Sequence, residues 1–106
     1  MTEQPQLFHY KVHRISGHPP MLAVADYGLL GKKIVDNELT IEVNKELYEG
    51  EIGNKDQVAS LMILHDIIVL VGEHSVNLAK ELGLVTEDSV LRVGDIPHVQ
   101  IYKFKY

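Results

Sequence analysis

The chain has 106 residues, 45% of them hydrophobic, with no cysteine and a formal net charge of −5. That length suits a single domain with one packed core, and the lack of cysteine excludes disulfides and thiolate metal sites. The longest apolar run, residues 67–71, is far too short to span a bilayer, and the polar first six residues lack the apolar core of a signal peptide.

Residues 1–6 are expected to be flexible. Phe8 to Ile15 then alternates, with Phe8, Tyr10 and Val12 on one face of a strand and His9, Lys11 and His13 on the other. Ser16-Gly17-His18-Pro19 is turn chemistry, and Met21 to Ala25 is apolar on both faces, as in a central strand. Together they predict an opening β-hairpin. Asp26 is placed to cap a short helical turn through Leu29 and Leu30 that Gly31 ends. Ile34-Val35, an Asp36-Asn37 turn and the alternating Leu39, Ile41 and Val43 predict a half-exposed strand. Asn44 is a cap for one turn carrying Leu47 and Tyr48.

Asn54 with Gln57 three residues on has the pattern of a capping box. The helix it starts puts Val58, Leu61, Met62 and His65 on one stripe. That helix either continues to Val71 or stops near Asp66, and the β-branched density of residues 67–71 favours a strand there. Gly72 opens a second helix, Glu73 in its first turn suits the helix dipole, and Gly83 suits the left-handed position after its end. Val90 to Val93 reads as a strand, and Val99 to Phe104 as a terminal strand that must pair inside the sheet. The expected fold is α+β: a single compact domain over residues 1–106, a mostly antiparallel sheet with about two main helices packed on it.

Charge is partitioned. Residues 1–35 carry four Lys/Arg against two acids, residues 36–95 carry four against thirteen, and residues 96–106 carry Lys103 and Lys105 with no acid. His9, His13, His18 and His98 also lie in the two basic ends. Neighbouring terminal strands would therefore make a basic face on an acidic body. Tyr102-Lys103-Phe104-Lys105-Tyr106 alternates aromatic and basic residues, a pattern that can stack bases and neutralise phosphates. The plain structural alternative is a terminal strand burying Tyr102 and Phe104, with lysines guarding its edge.

Other candidates are weaker. His9 and His13 share a strand face but stand about 13 Å apart along it, too far to share a metal. A site uniting His13, His98 and a carboxylate needs adjoining strands, and no metal or other cofactor is expected. The Gly72 helix mouth could favour an anion, although ordinary helix initiation is the simpler account of one glycine followed by Glu73. The turn from Arg92 to His98 could hold a phosphate or carboxylate, while a plain turn with an Arg92–Asp95 pair is the simpler account. Paired acids such as Glu87-Asp88 look like solvated turn residues.

Several blocks resemble a small archaeal family, the four-twenty-four domain of unknown function. They are Tyr10-Lys11-Val12-His13-Arg14, Leu29-Leu30-Gly31-Lys32, Leu70-Val71-Gly72-Glu73, and Val90-Leu91-Arg92-Val93-Gly94 followed by Ile96-Pro97-His98-Val99-Gln100. The chain departs from that family at Val69, where an Asn is usual, and at Glu49-Gly50, where a glycine pair is usual. The resemblance implies an archaeal, cytoplasmic protein of α+β fold and carries no activity with it.

The functional expectation is a non-enzymatic module binding RNA or a ribonucleoprotein partner. Lys11, His13, Arg14, Lys103 and Lys105 would contact phosphate and Tyr102 would stack. The alternative is an anion- or metabolite-binding protein, or an enzyme, using Gly72, Arg92 and His98. No membrane partner is expected, and an exposed C-terminal strand could pair with its own copy as a homodimer.

Overall fold

The structure is a computed structural model that describes residues 5–103. Its strands are Leu7–His13 (β1), Met21–Asp26 (β2), Lys33–Asp36 (β3), Leu39–Glu42 (β4), Glu51–Asn54 (β5), Ile67–Val71 (β6), Leu91–Val93 (β7) and Ile96–Tyr102 (β8). Its helices are Lys45–Tyr48 (α1), Lys55–Leu64 (α2) and Glu73–Glu81 (α3), with a 3₁₀ turn at Glu87–Ser89. Six strands form one sheet in the order β5-β1-β2-β6-β8-β7, and β3 and β4 form a separate hairpin. β2 and β6 are parallel and every other neighbouring pair is antiparallel. This is an α+β domain, as expected.

Side-chain parity divides the sheet into two packed faces. Phe8, Leu22, Val24, Ile68, Leu70, Val99 and Ile101 point to α2 and α3, where they meet Val58, Met62, Val76, Leu78 and Ala79. Ala23, Ala25, Val69 and Val71 point the opposite way, against Ile41, Val43 and Tyr48 from the hairpin and α1. Three layers result: helices, sheet, and a thin hairpin layer.

The local signals act as read. The side chain of Asn54 accepts the N–H of Gln57 at 2.9 Å, and the side chain of Gln57 returns to the N–H of Asn54 at 2.8 Å. α2 ends at Leu64 because His65 turns extended, and residues 67–71 then zip between β2 and β8 as a strand. The Asn44 side chain caps α1 through the N–H of Glu46. Pro97 is tolerated in a central strand for a specific reason. It sits opposite Gly72, whose N–H reaches the Pro97 carbonyl at 2.9 Å while the Gly72 carbonyl serves Val76 N–H in α3. The donor that Pro97 lacks therefore has no acceptor to miss.

Three readings change. β5 was not anticipated; its short Glu-Ile-Gly-Asn run carries little strand signal, and it forms as the edge partner of Leu7 to Tyr10. Residues 27–31 form turns rather than a helical turn, with Leu29 N–H on Asp26 O and Lys32 N–H on Leu29 O. The Asp26 side chain caps α3 instead, 48 and 49 residues away.

Candidate binding site on the hairpin face

The expected basic face is not assembled. β2 and β6 separate β1 from β8, so the terminal strands lie about 14 Å apart at the usual strand spacing. The row containing His13 runs through Met21 and Ile67 to Tyr102, and the row containing His98 runs through Val71, Ala25 and His9 to Ile52. His13 and His98 therefore belong to different rows on non-adjacent strands.

Three of the groups that were to meet phosphate are also held internally. Lys11 Nζ donates to Glu46 O at 3.0 Å, and His13 Nε2 donates to Leu47 O at 2.7 Å, tying α1 to β1. Lys103 Nζ donates to Met62 O at 2.7 Å and Ile63 O at 3.0 Å, at the C-terminal end of α2. There the partial negative charge of the helix end attracts an ammonium. Arg14 and Tyr102 are exposed, and Lys105 lies outside the described residues, as does Phe104.

The anion alternative is likewise not brought together. Arg92 faces Pro97 across the β7–β8 pair while His98 faces Leu91, so the two side chains lie on opposite faces of the sheet. Arg92 binds Glu87 Oε1 through Nε at 3.1 Å and Nη2 at 2.8 Å, and Glu73 Oε2 through Nη1 at 3.3 Å. Lys80 joins the same Glu87. These bonds hold the Glu87 carboxyl below its ordinary range and raise the Arg92 guanidinium. The pairing of Arg92 is with these two acids and not with Asp95.

At the Gly72 mouth an internal anion is already seated. Asp26, 7% exposed, accepts His74 N–H at 2.9 Å, Ser75 N–H at 2.8 Å and Ser75 Oγ at 2.7 Å. Gly72 has a φ of 111°, and a Cβ there would stand 2.3 Å from Asp26 Cγ. The glycine exists to let this carboxylate reach the helix N-terminus. The sequence held half of this signal, the glycine before the helix, but the carboxylate that needs it comes from a strand far away in the chain.

What the hairpin face does assemble is a cavity of about 410 Å³. Met21, Val69, His98 and Gln100 from three strands form its floor, Thr40, Ile41, Glu42, Leu47 and Tyr48 its wall, and Leu91 its rim. Burial pushes the Tyr48 hydroxyl up to about 12 and lowers the His98 imidazole below its ordinary 6.5. Tyr48 is thus a standing O–H group and His98 a neutral ring with one donor and one acceptor at pH 7. Among the described residues no hydrogen bond reaches the Tyr48 hydroxyl or the His98 ring. The lining holds one carboxylate and neither Lys nor Arg. Sequence reading singled out His98 but missed Tyr48, Glu42 and Gln100, because nothing local links β4, α1 and β8. The departure noted at Val69 falls on the cavity floor.

Among the described residues there is no group of three or more His, Asp or Glu side chains able to hold a metal, and no helix long and apolar enough to cross a membrane. The fold and cavity define a small three-layer α+β domain with a recess under its hairpin. The chain belongs to the family described as "Protein of unknown function (DUF424)", whose model matches residues 13–104. A crystal structure of an uncharacterized conserved protein from Methanopyrus kandleri is similar in fold, with a TM-score of 0.76 and 23% identity, covering 94% of this chain and 96% of that one. No curated protein matches the sequence.

Proposed function

We propose that this protein is an archaeal, cytosolic binding module for a small neutral or cationic organic molecule held in the hairpin-face cavity. The observation that carries the reading is the lining: five apolar side chains with five converging polar ones, among them the unengaged Tyr48 and His98. Sites for small ligands have this character and span about 300–1,000 Å³. The lining holds the Glu42 carboxylate and neither Lys nor Arg, which disfavours an anion and favours a ligand with a donor or positive charge. The similarity to an archaeal protein supports the source.

The test is an amide NMR titration of the whole chain with a panel of one- and two-ring neutral and cationic heterocycles, and in parallel with oligouridylate. Shift changes confined to residues 40–42, 47–48, 69, 91, 98 and 100 on heterocycle addition are expected. No cavity response to any member at millimolar concentration overturns the reading. The RNA proposal has its own outcome: oligouridylate shifts gathered at Arg14, Tyr102 and Lys103, weakening steeply with salt.

A further inference from the structure

The β8 edge has a feature that the cavity does not use. Lys103 N–H bonds Asp66 O at 2.8 Å, and Gly72 N–H bonds Pro97 O. In an antiparallel ladder the direction of the backbone groups alternates, so residues 97, 99, 101 and 103 turn theirs toward β6. Residues 96, 98, 100 and 102 turn theirs away. β7 pairs only as far as His98. Gln100 and Tyr102 are left with N–H and C=O groups directed outward, without a hydrogen-bond partner among the described residues.

Natural edges are guarded by charge, proline or bulges. Here residues 99–102 carry no charge, and the nearest lysine, Lys103, has its ammonium drawn away onto the α2 carbonyls. The segment from Gly83 to Ser89 runs alongside without closing the edge, leaving a groove of about 320 Å³ with Gln100, Ile101 and Tyr102. Tyr102 is 58% exposed at its mouth.

We propose that β8 pairs with β8 of a second copy, antiparallel about a two-fold axis through Ile101. This register sets Gln100 across from Tyr102 of the second copy and Tyr102 across from its Gln100. The outward groups of each copy then meet their complement in two hydrogen-bonded pairs, and a strand with no charge in the paired segment meets no like charge on itself. A second copy fits better than an arbitrary peptide because the outward groups, spaced symmetrically about Ile101, are self-complementary. Gln100 also lines the hairpin-face cavity, so Tyr102 of the second copy would stand at its rim. The dimer rests on the edge geometry and does not require the cavity to hold a ligand.

The experiment is sedimentation equilibrium of the full chain up to about 1 mM, with amide hydrogen exchange at low and high concentration. The expected result is a reversible monomer–dimer equilibrium in which the Gln100 and Tyr102 amides gain at least tenfold protection as dimer forms. Gln100→Pro removes an outward N–H and no bond to β6, and Tyr102→Lys restores an edge charge. Each should raise the dimer dissociation constant at least tenfold while circular dichroism stays that of the parent. A monomer at every concentration overturns the proposal, as does a dimer in which both amides exchange freely. If Gln100→Pro misfolds, Tyr102→Lys decides: an undiminished dimer in that folded variant also overturns it.

Discussion

The two faces of the sheet are built from alternate residues of the same strands, yet they are packed by side chains of different size. On β2, Leu22 and Val24 face the helices, whereas Ala23 and Ala25 face the hairpin. Large side chains on one parity fill the space under α2 and α3. Small ones on the other pack in one cluster with Ile41, Val43 and Tyr48, and the cavity of about 410 Å³ opens beside that cluster, over Met21, Val69 and His98. Dense packing stabilises the domain, and the recess beside the hairpin-face cluster is where a ligand can enter without displacing core. Side-chain parity along a central strand thus separates the helix-packed face from the face that carries the candidate site.

The largest test of this contrast is at the helix face. Gly72→Ala forces a Cβ onto the Asp26 carboxylate at a left-handed φ. It should cost at least roughly 3 kcal/mol, from strain plus disruption of the charge-assisted bonds to α3. Urea denaturation followed by circular dichroism measures it, and near-parental stability would mean that the Asp26 latch does not seat the helix.

A smaller effect is expected where the helix layer is tied to the last strand. Lys103→Met keeps the aliphatic stem but leaves Met62 and Ile63 carbonyls without their ammonium, a loss of about 1 kcal/mol. If stability is unchanged while affinity for oligouridylate falls, Lys103 serves nucleic acid and not the end of α2.

The smallest effect belongs to the hairpin face. His98 has its folded-state value depressed below 6.5 by burial, so the unfolded chain binds the proton more readily. The stability this neutral ring contributes is complete above pH 6.5 and declines as pH falls from there toward the folded-state value. His98→Gln should flatten that stretch of the stability–pH curve. An identical slope in the variant would place the ring in solvent and weaken the case for the cavity.

Much of the fold was legible because its signals are local. Asn54 and Gln57, the alternation from Phe8 to Val12, and the β-branched run at 67–71 each act within a few residues. The short edge strand β5 escaped because its pairing comes from β1 and not from its own composition. For the site the balance reverses. Lys11, His13 and Lys103 looked like free cations, but each ends on a carbonyl 34 to 41 residues distant in the chain.

The sequence by itself determined most of the elements, the Asn44 and Asn54 caps and the two parities of the longer strands, since hydrogen bonding within a turn and the two-residue repeat of a strand are short-range. Tertiary structure alone decided the strand order, and with it which charges are satisfied internally and which residues meet. β2 and β6 pair in parallel between the two terminal strands, so the basic ends that sequence drew together stand apart. The same order gathers Tyr48, His98, Glu42 and Gln100, from α1, β4 and β8, around one recess. The reason is that a charge is attractive to any partner within reach, and only the folded chain defines reach.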